Sequence, residues 1–226
     1  IIDAYNKLIK NIDTTATDSE EGRAYGGIVR AGKGNLVEST AKQIVLIAWQ
    51  SLGKELERVT FNSTKIKIPI NKEYVNNIKN PEVKEYLLKN IDKCYYSQKT
   101  DLHVFIDNQF VMAIECKAYT ENAMMKRILV DFTLLKKAYP KLNCVLFQLE
   151  SQLGGDYSKL NENPMGSFPT HTLLSHFDIE LHIITLLEGE RKVAEPIHKA
   201  EFFKELKKES LEKSVDVFSK ILNEYA

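Results

Sequence analysis

Two carboxylates and one lysine stand at a spacing that places them together at one end of a predicted β-hairpin. Asp101 comes just before one alternating apolar segment, and Glu115 and Lys117 lie within the next. Because side chains two residues apart on a strand share a face, Glu115 and Lys117 point the same way. The turn Asp107-Asn108-Gln109 makes the two strands antiparallel, which places Asp101 near Lys117 and Glu115 diagonal to it.

Carboxylate oxygens suit Mg²⁺, which binds few carboxylates, keeps several waters and accepts phosphate oxygens. A lysine beside such a metal can hold and help deprotonate a water, or stabilise charge that develops on a phosphorus centre. The alternative is an exposed strand face on which Asp101, Glu115 and Lys117 form ion pairs that contribute little to stability. Apolar residues close to the motif favour the chemical interpretation.

Thr100-Asp101, followed 14 positions later by Glu115-Cys116-Lys117, resembles the signature of the PD-(D/E)XK nucleases. Members of that family carry Pro before the Asp, where this chain has Thr100, a position that contributes backbone shape and no ligand. The resemblance implies that Asp101, Glu115 and the backbone carbonyl of Cys116 bind the metal. It also implies that Lys117 assists the attacking water.

The triplet Glu-X-Lys alone carries no information, because it occurs four times in the chain. Only the copy at Glu115 lies on a strand whose hairpin partner begins with Asp and which leads into a helix. The other three are Glu82 with Lys84, Glu190 with Lys192, and Glu205 with Lys207.

The periodicity of the chain predicts an α/β fold with a central mixed β-sheet flanked by helices. The resemblance implies that this sheet is the core of a restriction-endonuclease-like fold. We expect a single nuclease domain over residues 1–226, with a catalytic core at about 35–150 and an appended strand and helix at 178–226. The predicted helices are 1–10, 35–53, 73–93 with a break at Pro81, 120–139 with Thr120 as its N-cap, and 201–225. The predicted strands are 59–70, 102–106, 110–119, 143–149 and 179–187.

Glu38 has two interpretations that the sequence leaves open. In many members of the superfamily an acidic residue on the helix before the sheet faces the metal, and Glu38 lies on the predicted first turn of such a helix. The spacing from Asn35 to Glu38 is equally that of a capping box, in which Glu38 would accept from the Asn35 backbone N–H.

The segment 13–34 is polar and glycine-rich and is predicted to be a loop. Within it, Gly27 to Gly34 is similar to a phosphate-binding Walker loop, but Gly34 stands where a Ser or Thr is needed and no apolar strand precedes it. We therefore expect no nucleotide cofactor. A basic loop that enters a helix N-terminus can still bind a DNA phosphate, so Arg30 and Lys33 are predicted DNA contacts.

Sequence readout is expected from the predicted loop 151–172, which is rich in Gly, Asn, Ser and Pro. Amide side chains can pair with adenine edges, a weak indication of A·T-rich sites that low-GC codon usage would also produce. On the helix that follows the motif, Lys126 is a predicted backbone contact. The amide side chains in question are Gln148, Gln152, Asn161 and Asn163.

The composition first argues against a nucleic-acid partner, because 31 Lys and Arg balance 31 Asp and Glu. A neutral total is nevertheless compatible with a basic cleft if the charges are unevenly distributed. The three cysteines have no metal-ligand spacing, and no apolar stretch is long enough for a membrane span, so we expect a protein of the bacterial cytoplasm that contacts no membrane.

Taken with the motif, the resemblance implies a Mg²⁺-dependent type II restriction endonuclease. Such an enzyme cuts double-stranded DNA to 5′-phosphate and 3′-hydroxyl ends, and as a homodimer it reads a palindromic site. Two alternatives remain open. One is a structure-selective repair or junction-resolving nuclease of the same fold, and the other is a non-catalytic DNA-binding or interaction protein.

Overall fold

The computed structural model describes residues 1–16, 22–159 and 166–226, and the side chains of residues 1–10, 32–159 and 166–226. The strands are β1 (Val59–Asn62), β2 (Ile66–Pro69), β3 (Tyr95–Gln98), β4 (Leu102–Ile106), β5 (Gln109–Glu121), β6 (Asn143–Gln152) and β7 (Leu181–Thr185). The α-helices are α1 (Ile2–Ala16), α2 (Gly22–Ser51), α3 (Lys72–Asn77), α4 (Pro81–Lys89), α5 (Asn122–Ala138), α6 (Phe168–Ser175) and α7 (Lys208–Leu222).

Five strands form a mixed sheet in the order β1-β4-β5-β6-β7. The pairs β1–β4 and β4–β5 are antiparallel, whereas β5–β6 and β6–β7 are parallel. A parallel pair needs a crossover connection, which α5 supplies between β5 and β6. The predicted α/β class with a central mixed sheet is confirmed.

Helices cover both faces of this sheet, so it is buried on both sides. On one face, α1, α2 and α7 enclose a core that includes the fully buried Trp49, Phe147 and Phe218. On the other face, α5 packs through a second cluster that includes Phe132 and Leu146. The motif formed by Asp101, Glu115 and Lys117 lies between these two layers, on β5 and just before β4.

The hairpin β4–β5 has the predicted turn and pairing. Asp107 and Asn108 both have positive φ, 49° and 65°, a conformation that short polar side chains tolerate and that two-residue hairpins favour. Leu102 pairs with Ile114, which sets Asp101 opposite the segment that carries Glu115. The motif therefore stands at the open end of the hairpin, away from the turn.

The predicted loop at 13–34 is wrong over its described part, because α1 continues to Ala16 and α2 begins at Gly22. Glycine inside a helix costs up to about 1 kcal/mol relative to alanine. The later turns of α2 bury an apolar stripe that includes Val37, Ile44 and Trp49, and this packing outweighs the weak propensity of its first turns.

The predicted strand 59–70 is two strands in different sheets, because β1 pairs with β4 whereas β2 pairs with β3 in a separate two-stranded sheet. The helix predicted over 73–93 is also divided, with Asn71 capping α3 and Asn80 capping α4. The predicted C-terminal helix begins only at Lys208.

Thr120 is not an N-cap. It is fully buried within β5 and pairs with Ser151, since β5 continues along β6 for several residues beyond the motif. Glu121 is the N-cap of α5, without a side-chain hydrogen bond.

The three cysteines are free. Within the described ranges, no helix is long and apolar enough to cross a membrane.

Candidate active site

Three oxygen atoms converge on the side chain of Lys117. Its Nζ lies 2.6 Å from Asp101 Oδ2, 2.5 Å from Glu115 Oε2 and 3.3 Å from the backbone carbonyl of Cys116. The two carboxylates come from different strands, and the hairpin register brings them to the same point. The structure thus brings together the four residues that the sequence predicted as one site.

Asp101 is positioned by the backbone of the opposite strand, because the Cys116 N–H donates to Asp101 Oδ2 at 2.8 Å. On the other side, the Thr100 N–H donates to His103 Nε2 at 3.3 Å, and His103 Nδ1 lies 3.2 Å from Asn62 Oδ1. Thr100 and His103 are both buried. The bend that presents Asp101 is therefore fixed from both strands.

The electrostatics of the site follow from its partial burial. Burial raises the pKa of the Glu115 carboxyl, and the Lys117 ammonium opposes that shift. Burial alone would lower the pKa of Lys117, but Glu115 and Asp101 outweigh it and the pKa of Lys117 is raised. Lys117 therefore remains an ammonium near neutral pH.

A cavity of about 400 Å³ opens over these residues. Asp101, Glu115 and Lys117 line it, together with Arg127 and Asp131 of α5. Burial raises the pKa of Asp131, and Arg127 opposes that shift. The two carboxylates and the lysine are therefore accessible from this cavity.

The donor set fits a hard divalent cation. Mg²⁺ prefers oxygen ligands, takes few protein carboxylates and completes its shell with water and substrate oxygens. Among the described side chains, no three from His, Cys, Asp and Glu form a metal-ligand cluster. Two carboxylates and the Cys116 carbonyl are the ligands this site could offer.

One relative decides the family. The "Type II restriction enzyme DdeI" of Desulfomicrobium norvegicum is 52% identical to this chain in an alignment of 228 positions. The alignment covers 99% of this chain and 95% of the relative. The chain belongs to the type II restriction enzymes. It is a site-specific deoxyribonuclease, and the interpretation as a non-catalytic protein is excluded. No family model and no solved structure match the chain.

In this restriction enzyme, a role for Glu38 in the metal site stays a prediction. Glu38 forms an ion pair with Lys42 one turn along α2, at 2.8 Å. The capping-box interpretation is wrong, because α2 begins at Gly22 and Asn35 is inside the helix. Glu38 does act electrostatically on Cys116, whose thiol has a pKa raised chiefly by burial and further by nearby charges.

The residues predicted to contact DNA have different environments. Lys33 lines a second cavity beside the first, and Lys126 is exposed on α5. Gln152 accepts a hydrogen bond from Arg191 Nη1 at 2.5 Å. The side chain of Arg30, and Asn161 and Asn163 entirely, lie outside the described residues.

Gln148 cannot read a base, because it is fully buried and donates to Thr185 Oγ1 at 2.9 Å between β6 and β7. The predicted recognition loop is shorter than expected, since β6 extends to Gln152 and α6 begins at Phe168. The N–H groups of 27–34 lie within α2 and do not form a phosphate-binding loop.

Sequence reasoning missed Asp131, Tyr119 and Arg191. Tyr119 continues the alternation of Glu115 and Lys117 along β5, so extending the period of two would have found it. Arg191 follows β7 in an irregular segment, where no local pattern marks it.

Proposed function

We propose that this restriction enzyme hydrolyses phosphodiesters of double-stranded DNA with Mg²⁺, in the manner of the PD-(D/E)XK nucleases that its motif resembles. The observation that carries the proposal is the convergence of Asp101 Oδ2, Glu115 Oε2 and the Cys116 carbonyl on one cationic position. The three oxygens are the Mg²⁺ ligands in this proposal. A bound Mg²⁺ supplies Lewis-acid charge to the phosphoryl oxygens and makes a coordinated water more acidic.

Lys117 serves as a fixed cation beside the reacting phosphorus. Its raised pKa keeps it protonated, which favours orienting the attacking water and stabilising negative charge over removing a proton. Asp101 and Glu115 hold the ammonium in place, and the buried position of Glu115 limits competition from bulk water.

We infer that hydrolysis leaves a 5′-phosphate and a 3′-hydroxyl, and that a homodimer reads a palindromic site. A two-fold protein presents the same surface to both half-sites, which suits a palindrome. We further propose that residues 1–226 act as one nuclease domain in the bacterial cytoplasm. The single domain is supported by the shared core that α1, α2 and α7 form against the sheet. The cytoplasmic location is supported by three free cysteines, which suit a reducing compartment.

The test is cleavage of supercoiled plasmid by the purified protein with Mg²⁺, in parallel with excess chelator. We expect discrete fragments with Mg²⁺, no cutting with chelator, and a single repeated sequence at the sequenced ends. End-labelling with polynucleotide kinase before and after phosphatase treatment identifies the 5′-phosphate. Light scattering after size-exclusion chromatography measures the oligomeric state.

Asp101→Asn and Lys117→Met should each lower the cleavage rate by about 10²- to 10³-fold, the usual loss for a preorganised charged group at a reacting centre. Glu205→Gln and Lys207→Met are the matched controls, because the two charged side chains of this other Glu-X-Lys triplet are exposed. Full activity in both active-site variants would contradict the proposal. Smeared products or a preference for branched DNA would instead support a structure-selective nuclease.

A further inference from the structure

A second cavity of about 500 Å³ lies next to the proposed hydrolytic centre. Lys117 and Met124 line both cavities, so the two are continuous along one groove. The walls of the second cavity carry two basic side chains, Lys33 from α2 and Arg191 from the segment after β7.

Neither basic side chain is neutralised by a carboxylate at contact distance. Within the ranges whose side chains are described, no Asp or Glu lies within 4 Å of Lys33 Nζ or the Arg191 guanidinium. Glu150, a buried carboxylate on the same cavity, is instead 3.0 Å from Lys204 Nζ. Burial lowers the pKa of Lys33, Glu150 opposes that shift, and Arg191 adds to it. The cavity therefore holds two cations close enough to repel each other.

Arg191 is held rigidly by neutral partners. Its guanidinium stacks on the Tyr119 ring at 3.8 Å from the centroid, and Nη1 donates to Gln152 Oε1 at 2.5 Å. The Arg191 N–H also donates to the Ser151 carbonyl at 2.8 Å. A guanidinium that is fixed in this way loses little entropy when it binds, and its planar donors match phosphate oxygens.

We propose that Lys33 and Arg191 bind the backbone phosphate next to the scissile phosphodiester. This inference rests on the proposed function, because the groove brings a second phosphate into the basic cavity only when the first lies against Lys117. An anion in this cavity relieves the repulsion between the two cations. The subsite also gives a protein of zero net charge a local basic site for a polyanion, since two basic side chains without a carboxylate at contact distance face the groove.

The test measures equilibrium binding in Ca²⁺, by fluorescence anisotropy, to a duplex that spans the mapped cleavage site. Lys33→Met and Arg191→Met should each weaken binding by about 5- to 20-fold and reduce the slope of log K against log salt by about 1 per subunit. Thermal unfolding checks that both variants are folded. Two independent variants guard against a fold defect in either one.

Lys220→Met is the matched control. Lys220 is exposed on α7, next to Ser219, which contacts Ser51 at the far end of α2. At 1.5 Å per helical residue, Ser51 lies roughly 27 Å along α2 from Lys33. This variant should bind and cleave as the wild type does.

A single methylphosphonate, which removes one backbone charge, locates the subsite on the DNA. Placed next to the scissile phosphate, it should weaken wild-type binding by at least as much as Lys33→Met does. It should weaken the Lys33→Met variant, which keeps Arg191, less than it weakens the wild type. The subsite is wrong if the methylphosphonate weakens the binding of wild type and variant equally. It is also wrong if both variants keep the wild-type affinity and the wild-type salt slope. Either result leaves the proposed function standing. If the wild type neither binds this DNA nor cuts plasmid, the proposed function falls as well.

Discussion

Lys117→Met should have opposite effects on stability and on cation binding. Removing the ammonium leaves Glu115, which is 6% exposed, without its partner. Breaking a fully buried ion pair costs about 3 to 5 kcal/mol. The side chains of Lys117 and Asp101 are 29% and 38% exposed, and this contact with solvent reduces the expected loss of unfolding free energy to about 2 kcal/mol.

The same substitution should tighten the binding of Ca²⁺. Lys117 Nζ occupies hydrogen-bonding positions on both carboxylates and on the Cys116 carbonyl, so a divalent cation must share or displace these contacts. Without that competition we expect an affinity at least about tenfold higher, or about 1.4 kcal/mol. Calorimetric titration with Ca²⁺ measures it directly, and urea unfolding with and without Ca²⁺ measures the linked stabilisation.

Two controls isolate the effect of the charge at this position. Lys117→Arg keeps a cation near both carboxylates and should bind Ca²⁺ much as the wild type does. Lys207→Met removes an exposed lysine that pairs with Glu188 at 2.8 Å and should change neither property. Unchanged or weaker Ca²⁺ binding in Lys117→Met would refute the idea that the ammonium and the metal use the same oxygens.

Gly53 ends α2 with a φ of 72°, so Gly53→Ala should lower the unfolding free energy in urea by about 1 kcal/mol through backbone strain alone. Gly34→Ala should raise the unfolding free energy by about 0.5–1 kcal/mol, because Gly34 is inside the same helix and no atom is close to the added Cβ. Changes of the same sign in the two glycine variants would contradict this pair of expectations. Gln148→Ala should lower the unfolding free energy by about 2 kcal/mol, because this buried amide loses its hydrogen bond. The mapped cleavage sequence should not change, and an altered sequence would show that this side chain reaches a base. Burial lowers the pKa of His182, so the folded protein holds this side chain neutral where the unfolded chain would protonate it. The folded state is therefore not penalised above about pH 6.5, the ordinary pKa of His, and loses stability as the pH falls below that value. His182→Gln should therefore flatten the fall in Tm between about pH 7 and 5, and parallel melting curves would oppose this assignment.

The hairpin and its catalytic motif were predictable because both depend on local patterns. The alternation along β4 and β5 assigns each side chain to a face, and the turn at Asp107 and Asn108 fixes the register. Asp101, Glu115 and Lys117 therefore meet where the pattern places them. Neither step requires information from the rest of the chain.

The errors lie where tertiary contacts override local patterns. The first turns of α2 are rich in glycine, and only packing of the later turns explains their helical conformation. Thr120 has the side chain of a good N-cap, yet pairing with β6 keeps it in the strand. The basic cavity was not predictable because Lys33 and Arg191 are far apart in sequence and meet only in the fold.

Cys116 contributes to the site through its backbone and to the core through its side chain. Its N–H holds Asp101, its carbonyl faces Lys117, and its thiol is buried in the layer beneath α2. Cys116 is the middle residue of the Glu-X-Lys triplet, and the core on the α2 side of the sheet limits the size of the side chain that fits there. Small apolar replacements such as Cys116→Ala or Cys116→Val should preserve the geometry of the proposed ligands. Larger ones would move the strand and transmit a packing defect to those proposed ligands.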